Sequence, residues 1–142
     1  MTRASDDPAR PRTHVHSVRV FYGDTDQMGV AYYANYFRWF EMARNEYLRA
    51  AGCTYLELES DGVRLPVIEA NCTYRSPARY DDLLAISAWI AELSGVRVRF
   101  EYRVHRAGQE AILAKGHTVH ACLDQEGSPR RFPESLLNRL SE

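Results

Sequence analysis

No stretch of the 142 residues is an uninterrupted apolar run long enough to span a membrane, and the N-terminus lacks the apolar core of a signal peptide. No membrane span is therefore expected, and the expected location is the cytoplasm. Charge of one sign is not in excess either. The 18 Lys and Arg against 19 Asp and Glu leave a formal net charge of -1, which gives neither nucleic acid nor an anionic membrane a handle. Cysteine is scarce: Cys53, Cys72 and Cys122 are odd in number and widely spaced, and no pair has metal-ligand spacing. They read as small buried hydrophobes in a reducing compartment. The histidines are His14, His16, His105, His117 and His120. His117 and His120, three apart on an expected strand, would point to opposite faces, which argues against a shared metal. A Gly-rich phosphate loop and a dinucleotide fingerprint are missing as well. No metal and no cofactor is expected.

What is present is ordinary for one globular domain: 45% hydrophobic and 26% charged residues in a length that supports a single core. Residues 1–13, rich in Arg, Asp, Pro and Ser, read as a disordered or loosely attached tail, and 14–142 as the domain. Val18, Val20 and Tyr22 alternate with Ser17 and Arg19 as in a half-buried strand from Val15 to Tyr22. A helix is expected over Asn35–Ala51. Tyr36, Phe40, Ala43 and Tyr47 form its apolar stripe, with Phe37 and Leu48 beside it and Arg38, Asn45 and Arg49 outside. Asn35 is the expected N-cap and Gly52 the C′ stop. A short helical turn follows at Thr54–Gly62. Strands are expected at Leu65–Tyr74, Leu83–Leu93, Val96–His105 and Ala111–Leu123, and a terminal helix at Pro133–Leu140. One strand, one long helix and a run of antiparallel strands make an α+β fold with the helix on one sheet face. The other face and an edge stay uncovered, so a monomer is not expected.

Between the first strand and the helix lies the most informative stretch, Tyr22-Gly23-Asp24-Thr25-Asp26-Gln27-Met28-Gly29-Val30-Ala31-Tyr32-Tyr33-Ala34-Asn35-Tyr36. A carboxylate arriving just before a helix N-terminus faces free backbone N–H groups and the positive end of the helix dipole. That is half of an acyl-transfer site: a group to attack or to activate water, and donors for an oxyanion. Asp24 and Asp26, two apart, would point to opposite sides of an extended backbone and do not read as a carboxylate pair. Both residues also suit a turn.

The run Phe-Tyr-Gly-Asp-Thr-Asp, then Gly-Val, then Tyr-Tyr-Ala-Asn-Tyr-Phe resembles the signature of the 4-hydroxybenzoyl-CoA thioesterase and YbgC-like acyl-CoA thioesterases of the hotdog fold. Cys72-Thr73-Tyr74, Pro77-Ala78-Arg79-Tyr80-Asp81-Asp82 and Phe100-Glu101-Tyr102 extend the resemblance over nearly all of the chain after its tail. It implies a hotdog fold, one long helix wrapped by a five-stranded antiparallel sheet. It also implies a homodimer, made by pairing of the strand after the helix across a two-fold axis, and a further pairing into a homotetramer. The implied reaction is hydrolysis of an acyl-CoA thioester to free acid and CoA. The family's catalytic aspartate falls on Asp26, acting as nucleophile or general base, and Asp24 stays a turn residue. Met28, Gly29, Val30 and Ala31 would surround the carboxylate and the substrate. The amides near Tyr33 and Ala34 would polarise the thioester carbonyl. Tyr33 stands where many bacterial members have histidine and the hydroxybenzoyl branch has tyrosine. With a pKa near ~10 a tyrosine is a poor base at neutral pH, so its role is backbone and packing, and Tyr32 and Tyr36 read as core aromatics. Glu41 is either a solvated acid paired with Arg38 or Arg44, or the polar end of the acyl pocket.

Coenzyme A carries phosphates, so arginines are expected at its site. Arg97, beside the Ser94-Gly95 turn, is the candidate. Arg99 and Arg103 share its strand face, and Arg75 and Arg79 flank Pro77. Two other function classes fit the same skeleton. A hydratase or dehydratase needs a histidine near the motif, which is missing. A non-catalytic acyl-CoA-binding protein would have no use for Asp26.

Overall fold

A computed structural model describes residues 12–141. β1 (Thr13–Arg19) leads through a single 3-10 turn (Tyr22–Asp24) and a tight bend into α1 (Asn35–Ala50). After α2 (Tyr55–Ser60) come β2 (Val67–Tyr74), β3 (Leu83–Leu93), β4 (Arg97–Arg106) and β5 (Ile112–Ala121), and α3 (Glu134–Ser141) closes the chain. The five strands form one antiparallel sheet in the order β1-β3-β4-β5-β2. The fold is α+β, a hotdog arrangement of one long helix against a five-stranded antiparallel sheet. Among the described residues no helix is long and apolar enough to cross a membrane.

The sheet face that receives α1 is written in the strand alternation. Leu84, Ile86, Ala88 and Ile90 of β3, and Val98, Phe100, Tyr102 and Val104 of β4, point inward and are buried. Against them α1 buries Tyr36, Trp39, Phe40, Ala43, Tyr47 and Leu48. Full burial of one such side chain is worth roughly 1.5–3 kcal/mol, so this stripe holds the helix in place far more than its own propensity does. The ring of Phe40 stacks on Tyr102 with centroids 4.3 Å apart and rests over Gly116 of β5. A Cβ at Gly116 would meet Phe40 Cε2 at 2.6 Å and collide with the Asn71 carbonyl.

Several local expectations are corrected. The tail expected over 1–13 lies outside the described residues apart from Arg12 and Thr13, and Thr13 already pairs with Trp89 in β1. Tyr22 is 78% exposed, because β1 ends at Arg19 and the chain turns away. Val20 alone continues inward, exchanging backbone bonds of 2.9 Å with Asp81 and Asp82. Asn35 is the first helical residue, not the cap. The cap position is Ala34, whose side chain bonds nothing, while Asn35 Nδ2 donates to the Asp24 carbonyl at 2.8 Å. Gly52 stops α1 as expected, with φ of 86°. Cys53 and Cys122 are buried, whereas Cys72 is only half-buried.

β1 and β2 are the free edges of the sheet. Along β2 every residue but Cys72 is exposed, including Val67 and Ile68 at 48% each. Together they make an apolar edge in a single chain.

Candidate active site

The bend between β1 and α1 is held by its own short-range chemistry. Asp26 opens a turn in which the Gly29 N–H donates to the Asp26 carbonyl at 3.0 Å. Gly29 sits at φ 80°, a conformation that costs glycine nothing. Asp26 Oδ1 accepts the Met28 N–H at 2.8 Å and the Val30 N–H at 3.4 Å, the local side-chain-to-backbone bonding for which Asp is favoured in turns. Asp26 N donates to Val30 O at 2.9 Å, and Ala31 N donates to Ala78 O at 2.8 Å. A bridge between Val30 and Arg79 completes the tie to the segment after β2. The bend and that segment are therefore one unit, and they face each other across a cleft of about 320 Å³. Asp26, Met28, Val30, Tyr33, Tyr74 and Arg75 are among its lining residues.

The two aspartates of the motif differ in what they hold. Asp24 has both oxygens engaged: Oδ2 accepts Phe21 N–H at 2.8 Å and Oδ1 accepts Arg38 Nη2 at 2.7 Å. Its role is to close the 3-10 turn and tie it to α1. Asp26 has one oxygen fixed by the turn, while Oδ2 has no partner among the described residues. A half-buried carboxylate with one oxygen anchored and one free is oriented yet still able to attack or to take a proton.

The residues leading into α1 stand beside it. Tyr32 N donates to Asp24 O at 2.8 Å and Asn35 N to Tyr32 O at 3.0 Å. The amides of Tyr33 and Ala34 donate to no acceptor among the described residues. They are free donors at the positive end of a 16-residue helix. The Tyr33 ring is 60% exposed and Tyr32 46%, so Tyr32 is not the core aromatic expected. Tyr36 is, at 2% exposure; its hydroxyl accepts the Ala78 N–H at 3.2 Å, and burial pushes its pKa up.

The remaining candidates separate. Met28 and Val30 line the cleft, whereas Gly29 shapes the turn. Glu41 is exposed, makes no ion pair among the described residues and does not line the cleft of its own chain. Its expected partners are engaged elsewhere: Arg38 with Asp24, and Arg44 with the Tyr102 hydroxyl at 3.1 Å. Arg97 begins β4. Arg106, at the other end, donates Nη2 to Pro77 O on the cleft wall at 3.0 Å. At ~3.3 Å per strand residue the two ends of β4 stand roughly 30 Å apart, so within one chain Arg97 is remote. The arginine that does line the cleft is Arg75. Its guanidinium has no partner among the described residues, whereas Arg19, Arg38 and Arg106 pair with Asp81, Asp24 and Asp82. His117 and His120 point to opposite sides as expected: His117 meets Glu69 at 2.7 Å, and His120 is buried.

Residues 20–140 match the sequence profile of the thioesterase-like superfamily. This chain belongs to that family. Over 121 residues it is 36% identical to the acyl-CoA thioesterase YbgC of Haemophilus influenzae, covering 84% of this chain and 88% of that one. The crystal structure of the hypothetical protein TT1821 from Thermus thermophilus superposes with a TM-score of 0.85 at 38% identity, over 92% of this chain and 96% of that one. A mutant 4-hydroxybenzoyl CoA thioesterase complexed with 4-hydroxybenzoyl CoA shares the fold, with a TM-score of 0.83 at 22% identity over 92% and 99% of the two chains. As a member of this family the chain is a thioester hydrolase.

Proposed function

We propose that this thioesterase hydrolyses acyl-CoA thioesters, with Asp26 as the catalytic carboxylate and the free amides of Tyr33 and Ala34 as donors to the thioester carbonyl. The observation that carries the reading is the contrast between the two motif aspartates: Asp24 has both oxygens occupied, and Asp26 keeps one free beside the cleft. The substrate class comes from the related acyl-CoA thioesterase named above.

Two routes reach the same products. In one, the free oxygen of Asp26 attacks the carbonyl carbon, the C–S bond breaks and CoA leaves as thiolate. Water then opens the mixed anhydride and regenerates the carboxylate. In the other, Asp26 takes a proton from water, hydroxide adds to the carbonyl, and the proton passes to the departing thiolate. Either way one water is consumed, and the products are the free acid and CoA. In both routes negative charge collects on the carbonyl oxygen, where preorganised N–H donors act most strongly. Tyr33 contributes its amide and its ring, not proton transfer.

Met28 and Val30 form the apolar wall next to the carboxylate, and the Gly29 and Ala34 backbones complete the bend. Arg75 is the arginine among the described residues that line the cleft, and within one chain it is the candidate contact to the anionic substrate. Glu41 and Arg97 can serve a cleft only across a subunit boundary. The functional unit is accordingly proposed as a homodimer joined at the apolar β2 edge, able to pair again into a tetramer. The cleft lining offers a hydratase no histidine among the described residues.

The test is a panel of short, long and aromatic acyl-CoAs followed by release of free thiol. Turnover of at least one acyl class with kcat/KM above about 10⁴ M⁻¹s⁻¹ is expected. Tight acyl-CoA binding without thiol release across the panel would instead indicate a binding protein.

A further inference from the structure

Tyr74, the last residue of β2, reaches from the sheet edge to the start of α1. Its hydroxyl donates to the Tyr33 carbonyl at 2.9 Å. Its ring meets the Tyr33 ring edge-on at 6.4 Å and the Tyr36 ring edge-on at 4.9 Å. The helix does little to hold that carbonyl itself, because the bond it accepts from Tyr36 N–H is 3.4 Å long. At Tyr33, then, the grip on the first turn comes from β2. Without it, Tyr33 would be fixed by that long bond from Tyr36, by its ring contact with Tyr32 and by the backbone bonds at Tyr32 and Asn35 on either side of it.

We propose that Tyr74 is a positioning residue for thioester hydrolysis, its hydroxyl clamping Tyr33 so that the free amides of Tyr33 and Ala34, at the entry to α1, are held at the substrate carbonyl. The inference rests on the reading of those amides as carbonyl donors. Oxyanion donors act within a few tenths of an ångström of 2.7–3.1 Å, and a misplacement of about 1 Å can lower a rate by ~10²-fold. Tyr74 lines the cleft, but its hydroxyl is spent on the Tyr33 carbonyl, so it acts on catalysis through the turn. Burial, with the Cys72 thiol alongside, pushes the Tyr74 pKa upward, so the hydroxyl stays a neutral donor throughout the working range of a thioesterase. Nothing in the clamp depends on acyl length, which places its effect on the chemical step rather than on substrate choice.

The substitution Tyr74→Phe keeps both ring contacts and removes only the hydroxyl. The expected result is a loss of about 10-fold in kcat with KM changed less than about twofold, because the lost restraint acts on a contact that strengthens in the transition state. A second readout follows the carbonyl directly, by isotope-edited infrared spectra of a ¹³C-labelled thioester bound to Asp26→Asn protein. Binding should lower the carbonyl stretching frequency, and adding Tyr74→Phe should return it toward the value in solution. A kcat within twofold of the unmodified protein together with an unmoved carbonyl band would overturn the positioning role while leaving thioester hydrolysis intact. Failure of the unmodified protein to release thiol from any acyl-CoA would overturn both readings.

Discussion

His120 shows how single residues in this fold acquire properties that composition does not announce. It is 1% exposed, with Nδ1 3.0 Å from the Leu65 carbonyl and Nε2 2.8 Å from Thr118 Oγ1. A carbonyl only accepts, so the proton sits on Nδ1 and Nε2 takes the threonine hydrogen. Tyr102 must then donate to Thr118 at 2.6 Å, and Arg44 donates to Tyr102 at 3.1 Å. The chain of donors runs one way from the helix surface into the core. Burial, helped by the Arg44 charge, lowers the His120 pKa to about 4 from its ordinary 6.5. A depressed histidine is neutral in both states above pH ~6.5. As pH falls from there toward 4, the unfolded chain takes a proton that the folded one refuses, and stability drops. The native protein should lose about 2 kcal/mol more than His120→Gln between pH 7 and pH 4.5, as read from urea denaturation. Equal losses in the two proteins would remove His120 from the acid response.

At the scale of elements, the long helix and the central strands were the legible part. The aromatic stripe of α1 and the strict alternation of Val98, Phe100, Tyr102 and Val104 carry their own periodicity, and both recur in the buried set. The end of β1, the cap of α1 and the exposure of Tyr32 were not legible, because each is decided by contacts outside the element's own repeat. Asn35, for example, finds the Asp24 carbonyl instead of its own helix. Asp26 could be singled out as a candidate because a motif of adjacent residues carries it. Arg75, Tyr74 and the His120 chain are set by sheet register and loop closure, which no local spacing reports. Arg97 was named for its place beside a turn, and within one chain β4 sets it at the far end of a strand from the cleft. The seat of α1 on β5 is a register effect too, and it is testable. Gly116→Ala should cost roughly 2 kcal/mol and lower the melting temperature by about 5 °C, because Phe40 and the Asn71 carbonyl leave no room for a methyl. An unchanged melting temperature would mean that the helix does not rest on Gly116.

For the whole molecule, the exposed apolar edge at β2 and the cleft at its end belong to one problem. A single chain leaves Val67, Ile68 and Tyr74 between 42% and 48% exposed along an edge strand whose outer side carries no neighbouring strand among the described residues. A second copy laid on that edge would cover it and bring the two clefts to the same seam. Sedimentation at micromolar concentration should therefore find a dimer or a larger even assembly, and a stable folded monomer would contradict the shared-edge arrangement. What the assembly is for comes down to one carboxylate. The most direct measurement is the turnover of the best acyl-CoA from the panel by Asp26→Asn, beside Asp24→Asn and the unmodified protein, with thermal melts to confirm folding. Asp26→Asn should melt like the unmodified protein and lose at least about 100-fold in kcat. Asp24→Asn, altering a carboxylate whose oxygens close a turn and pair Arg38, should keep most of its activity and lose some stability. Comparable kcat in Asp26→Asn and the unmodified enzyme would contradict the account.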